Sequence, residues 1–378
     1  MLVQLLAAIA ITSSLPTETH GGPETSEQNG DSLRYYYFNP DGLGAHAFQT
    51  PISLVIAGGF SPFFERRIDA FDYESGAKKL VGQLTDPFNT IADYGIDRFL
   101  LGEFIPNPGY ESGQWVPNYT WHLVGGGFRN RQLREYFHHR GATHPRLYSW
   151  LVSYASHLLN ELIEAERYGP GAVDGIADLY FFDWVGKLIF DLDAVNEVAT
   201  EIFHLTDWTT QTQWIPRTSQ LMNIGQLYWL RLQLFGPLSL SALTGELTNT
   251  VNLTFELGSE QLSLGLGLKP NAILESNSGT PEAEALHVTF GVYLSRADNP
   301  VVVATYESSY RFAESDTGRK SRDDDIFVMN VYPGWFDWGE FAPGFSLGVR
   351  REAIFLALSH GAWPIGISVG PLGRQRSW

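Results

Sequence analysis

Leu262-Ser263-Leu264-Gly265-Leu266-Gly267-Leu268 is the stretch that decides how this chain folds. Four leucines alternate with small residues, so an extended strand here puts every leucine on one face. Such a stripe is costly in water and needs lipid or a second sheet against it. The same period continues outward. Val251, Leu253, Phe255 and Leu257 alternate with Asn252, Thr254 and Glu256, and Val288, Phe290, Val292 and Leu294 alternate with Thr289, Gly291, Tyr293 and Ser295. Further strands are expected at 221–234, 238–247, 301–312, 325–332, 344–350, 353–359 and 365–369. Connections alternate between short (258–260, 297–299) and long (269–285, 313–324), and aromatic residues gather near strand ends, as at Tyr228-Trp229 and Trp335-Phe336. Short turns on one side, longer loops on the other and aromatic girdles are the pattern of an outer-membrane barrel. The reading is a mainly β chain: an antiparallel transmembrane β-barrel of roughly ten to twelve strands with an inserted helical hairpin. The alternative is a soluble β-sandwich or barrel with a helical subdomain, because alternation alone suits either.

Composition narrows the function classes. The chain has 378 residues and no cysteine, which excludes disulfides, thiolate metal sites and cysteine nucleophiles. A net charge of −17 argues against a nucleic-acid partner. A mean hydropathy of −0.12 excludes a bundle of transmembrane helices and says nothing against a barrel, whose two strand faces average out. Residues 1–20 read as a signal peptide, with the apolar run Met1 to Ile11, and 21–34 as a polar linker. Residues 35–208 form an N-terminal part with mixed patterns, and 209–378 supply the barrel strands.

Within the N-terminal part, Ile52 to Ile56 reads as a strand. Tyr94 to Ile105 and Trp115 to Val124 read as extended or ambiguous. Leu147 to Tyr168 carries apolar residues at helical spacing and ends at Gly169-Pro170, and 174–204 reads as a second helix, giving a hairpin at about 147–204. The polar residues concentrate here. Asn118, His122, Arg129, Glu161, Glu164 and Asp178 form the candidate site, with Glu135, Asn160, Asp174 and Asp183 near it in sequence. Glu161 and Glu164 share a helix face. A histidine among carboxylates suits metal binding or acid–base chemistry; the favoured reading of the same residues is a buried network that docks the hairpin to the strands or plugs the lumen. No H-E-x-x-H, G-x-S-x-G or phosphate-loop pattern occurs, so no catalytic assignment, metal or cofactor is expected from motifs.

The segment from Trp115 to Asp183 resembles an uncharacterised family of Gram-negative envelope proteins known only as a domain of unknown function. The resemblance is carried by Asn118-Tyr119, His122, Gly125-Gly126, Arg129, Asn160-Glu161, Glu164, Asp174 and Asp178. In that family a proline commonly follows the histidine, where this chain has Leu123. The resemblance implies an exported, β-rich outer-membrane protein and no established reaction. The expectation is therefore an outer-membrane barrel with a structural, binding or transport role. Its expected partners are membrane lipid and a small-molecule or lipid ligand. The alternatives are an enzyme acting on envelope lipid and a periplasmic carrier of an apolar ligand.

Overall fold

The computed structural model describes residues 33–39, 43–63, 68, 71–107, 114–167, 173–246, 248–275, 281–311, 325–336, 342–350 and 353–373. The signal and most of the linker expected at 1–34 lie outside them. The chain builds a helical unit first and a sheet second. The helices are α1 (Pro51–Gly59), α2 (Tyr73–Thr85), α3 (Pro87–Tyr94), α4 (Ile96–Phe99) and α5 (Trp115–Pro117). They continue with α6 (Gly126–His139), α7 (Pro145–Arg167), α8 (Asp174–Ala177), α9 (Asp183–Phe190) and α10 (Asp193–Glu197). Four π-helical stretches join or extend them: Leu100–Phe104 after α4, Asn118–Gly125 between α5 and α6, Asp178–Phe182 between α8 and α9, and Val198–Ile202 after α10.

The N-terminal part is thus far more helical than its pattern suggested. Ile52 to Ile56 is not a strand but the body of α1. Thr50 and Ser53 close a capping box and Pro51 occupies the first turn, which is a helix start rather than a strand start. A five-residue apolar run has no period of its own, so its flanks decide. Tyr94 to Ile105 and Trp115 to Val124 are also largely helical. The helices share a core of Val55, Leu133, Phe137, Val152, Leu159 and Ile163.

The sheet has 13 strands in the order β1-β4-β5-β6-β7-β8-β9-β10-β11-β12-β13-β2-β3. These are β1 (Thr206–Asp207), β2 (Gln213–Ile215), β3 (Gln220–Met222), β4 (Leu227–Phe235), β5 (Leu238–Gly245), β6 (Asn249–Leu257) and β7 (Glu260–Glu275). The rest are β8 (Pro281–Arg296), β9 (Asn299–Arg311), β10 (Ile326–Val331), β11 (Pro343–Arg350), β12 (Ala353–His360) and β13 (Gly366–Gly373). Sequential neighbours from β4 to β13 pair antiparallel, and β13 pairs with β2 in parallel, so the sheet is mixed. The long loop expected at 269–285 is largely strand instead, because β7 and β8 stay paired from Glu260↔Arg296 to Glu275↔Pro281. The chain between β1 and β2 is hydrogen-bonded to β4 at one end and to β13 at the other. Trp208 N donates to Leu227 O at 2.9 Å, and Gly366 N donates to Thr212 O at 2.8 Å.

The faces of the sheet are inverted relative to a water-soluble protein. Leu264 and Leu266 are 51% and 57% exposed, whereas Ser263, Thr254 and Ser239 are fully buried. Val251, Leu253, Phe290, Val292, Leu356 and Val369 share the exposed side, and Asn252, Thr289, Ser346 and Ser368 the buried one. The buried side is filled. Trp208 and Trp229 stack with ring centres 4.0 Å apart, and Ala45, Phe48, Leu243, Tyr293 and Val303 pack around them. Gly291 leaves the space that the Tyr293 ring occupies, since a Cβ there would meet the phenol at 1.9 Å. Among the described residues no helix is long and apolar enough to cross a membrane.

Candidate functional site

Three helical segments meet in the helical unit, each bringing polar side chains. On α7, His157, Glu161 and Glu164 recur at intervals of four and three, one helix face. On the continuous run from α8 to α9, the π-helical stretch Asp178–Phe182 stacks residues five apart, so Asp178 and Asp183 point the same way. On the run from α5 to α6, His122 lies in the π-helical stretch Asn118–Gly125. The two runs touch backbone to backbone. A Cβ at Gly186 would stand 2.2 Å from Leu123 O, and one at Gly126 would stand 2.6 Å from the His157 ring. These glycines let His122 approach the carboxylates.

His122 is the hub. Its Nε2 lies 3.4 Å from Asp178 Oδ2 and 3.9 Å from Glu161 Oε1, and its Nδ1 lies 3.5 Å from Asp183 Oδ1. His157 donates from Nδ1 to Asp183 Oδ1. Lys187 Nζ stands 3.9 Å from Asp183 Oδ2. Glu103, in the π-helical stretch after α4, accepts from Asn118 Nδ2 at 2.9 Å and interacts with Asp174. Glu103, Asn118, Glu161, Asp178, Asp183 and Lys187 are all buried.

This crowding governs ionisation. Burial, and then the neighbouring carboxylates led by Asp174, push Glu161 and Asp178 well above the usual carboxylate range. Burial and Asp174 raise Glu103 to about 9. Burial alone would also raise Asp183, but His157, His122 and Lys187 outweigh it and hold that carboxyl below the ordinary range. Burial lowers His157, which therefore faces Asp183 as a neutral donor. Burial works against charging His122 as well, yet Asp183 reverses the balance and raises it. Five carboxyl groups thus crowd around one lysine and two histidines, and burial leaves the protonated form favoured in all of them but Asp183. Glu161 Oε1, Asp178 Oδ1 and Asp183 Oδ2 are buried with no hydrogen-bond partner among the described residues. Two sets of three ligand atoms lie within 4.8 Å of one another: His122 with Glu161 and Asp178, and His122 with His157 and Asp183.

The sequence-derived site is brought together in part. Asn118, His122, Glu161 and Asp178 meet in this cluster, and Glu164 acts on it electrostatically. Arg129 does not join them. It forks onto Asp207 of β1, with Nη2 2.9 Å from Oδ1, and it bonds Gln132 and Gln226. Arg129 thus clamps α6 to the sheet. Glu135 likewise serves the fold, accepting the backbone N–H groups of Tyr36, Tyr37 and Phe38 at 2.8–3.0 Å. His157, Glu103 and Lys187 were missed. His157 was findable, four residues before Glu161 on the same helix face; Glu103 lay in a segment without a helical signal.

Comparison with models of known families, with curated proteins and with solved structures yields no match to this chain.

Proposed function

We propose that this chain is an outer-membrane β-barrel protein with a structural or binding role, anchored through its sheet and carrying the helical unit on it. The observation that carries the reading is the inverted sheet: aliphatic side chains such as Leu264, Leu266 and Leu356 face outward, and serines, threonines and asparagines face inward. In hydrocarbon that polarity is favourable and in water it is not. Closure of the sheet into a barrel is part of the proposal. The run 206–215 pairs with β4 at its start and with β13 at its end, so one segment can bridge the two ends of the β4–β13 meander. Membrane lipid is then the partner of the outer face.

A buried face already filled by the protein's own side chains disfavours a carrier of apolar ligands. The Trp208–Trp229 stack and the aromatic packing around it favour an anchor over an open pore.

Expression in a Gram-negative host followed by membrane fractionation and heat-modifiability on gels tests the reading. Recovery in the outer-membrane fraction with a mobility shift on boiling is expected; a protein found wholly in the soluble fraction overturns it. In planar bilayers the filled interior predicts no steady conductance. Sustained channel currents would move the role to transport.

A further inference from the structure

We propose that His122, Glu161 and Asp178 form a binding site for one divalent transition-metal ion, zinc or manganese in chemical class. The proposal stands on geometry and is independent of where the sheet resides. His122 Nε2 is 3.4 Å from Asp178 Oδ2 and 3.9 Å from Glu161 Oε1. Ligand atoms about 2.0–2.2 Å from a tetrahedral ion stand roughly 3.3–3.5 Å apart, so the three donors need to move little to bind one. Glu161 and Asp178 are nine-tenths buried or more. Glu161 Oε1, the oxygen that faces His122, has no hydrogen-bond partner among the described residues, and Asp178 turns Oδ2 to His122 while its Oδ1 is likewise buried without a partner. Two buried carboxylates facing each other need a cation or a proton between them.

The surroundings are those of a metal ligand set. Asp183 lies behind His122 at Nδ1, on the side away from the other two donors, where it can fix the ring so that Nε2 points at the ion. His157 and Lys187 hold Asp183 in turn. A nitrogen and carboxylate set without sulfur suits zinc, manganese or iron(II) more than copper(I). Three protein ligands leave a coordination position for water or a substrate oxygen. The His122 side chain, 13% exposed, is the most open of the three and marks the way in.

The test uses the full chain purified in detergent and stripped with a chelator. Equilibrium dialysis against Zn²⁺ and Mn²⁺, with Mg²⁺ and Ca²⁺ as controls, is expected to return one tightly held transition-metal ion per chain. Glu161→Gln and Asp178→Asn are each expected to weaken binding by about 100-fold or more, and Asp183→Asn by roughly 10–100-fold through loss of ring orientation. Wild-type protein that retains no ion at micromolar Zn²⁺ overturns the proposal, and so does binding unchanged in the Glu161→Gln/Asp178→Asn pair. If a variant fails to assemble, the visible spectrum of Co²⁺ in the wild type decides. Intense tetrahedral bands are expected, and only the pale spectrum of aqueous cobalt refutes the site.

Discussion

His122, Asp183 and Glu103 set the behaviour of the site at the scale of single residues. Without a metal, burial and Asp174 raise Glu103 from 4.5 to about 9. The folded protein therefore holds a proton that the unfolded chain has already released across that range. Raising the pH from about 4.5 to 9 strips it from the folded state, so stability falls with pH. Glu161 and Asp178 are shifted in the same direction. Asp183 is shifted the opposite way, and its contribution is lost only on acidification below the ordinary carboxylate range. The melting temperature of chelator-treated protein is expected to drop between pH 5 and pH 9, and saturating Zn²⁺ to flatten the decline. A flat profile without metal contradicts this account. At this scale the sequence was half legible. Helical spacing put Glu161 and Glu164 on one face, and the same spacing includes His157. Arg129 misled only because it follows His122 closely in the same polar stretch. The intervening π-helical stretch to Gly125 changes the helical register and leaves Arg129 facing Asp207 instead.

Strands were the legible elements. Period-2 alternation located β4 to β13 to within a few residues, because the exposed face is aliphatic while the buried face mixes small and polar residues with aromatics such as Trp229 and Tyr293. It underestimated β7 and β8, whose outer parts lose the alternation at Lys269-Pro270-Asn271 yet remain paired. It gave no sign of β1 and β2, which are two or three residues long, and ran β3 together with β4 in the single strand expected at 221–234. Leu264→Arg tests the outward face. A charge at the midplane of a lipid-facing strand costs about 2–4 kcal/mol, so the folded, heat-modifiable form is expected to be reduced. The inward substitution Thr254→Ser, which keeps the hydroxyl bonded to Ser241 and Ser263 and loses only a methyl, is expected to assemble nearly as wild type. Equal tolerance of both would remove the basis for calling one face lipid-exposed. Helices were less legible. The π-helical stretches break the 3.6-residue period where the site residues sit, and Ile52 to Ile56 carries no period at all.

Among the described residues of the whole molecule, buried polar contacts join the helical unit to the sheet. The Arg129–Asp207 fork is the most buried of these, backed by Gln49, Gln132 and Thr209. Tyr228 of β4 packs beside it on Phe128 of α6, with ring centres 5.3 Å apart. Asp207→Asn leaves the Arg129 guanidinium buried without its counter-charge, which costs about 3–5 kcal/mol. Lower resistance to urea is expected, with earlier proteolysis in the helical unit than in the sheet. The double change Arg129→Met with Asp207→Leu is expected to recover much of the loss, since a matched apolar pair carries no orphan charge. A single Asp207→Asn as stable as wild type would show the two units to be held by packing alone.

The sequence by itself determined the strand half and its polarity, since alternation is a local property that any extended chain must express. It also determined the absence of thiol chemistry and of a basic surface. Only the tertiary structure decided which polar residues meet. Glu103, His122, Glu161 and Asp178 come from four helical segments, and their distances depend on π-helical register and on glycine contacts between helices. Neither leaves a periodic trace in the chain. The filling of the buried face was likewise decided there, because Phe48, Trp208 and Tyr293 lie far apart in sequence and become neighbours only in the folded chain.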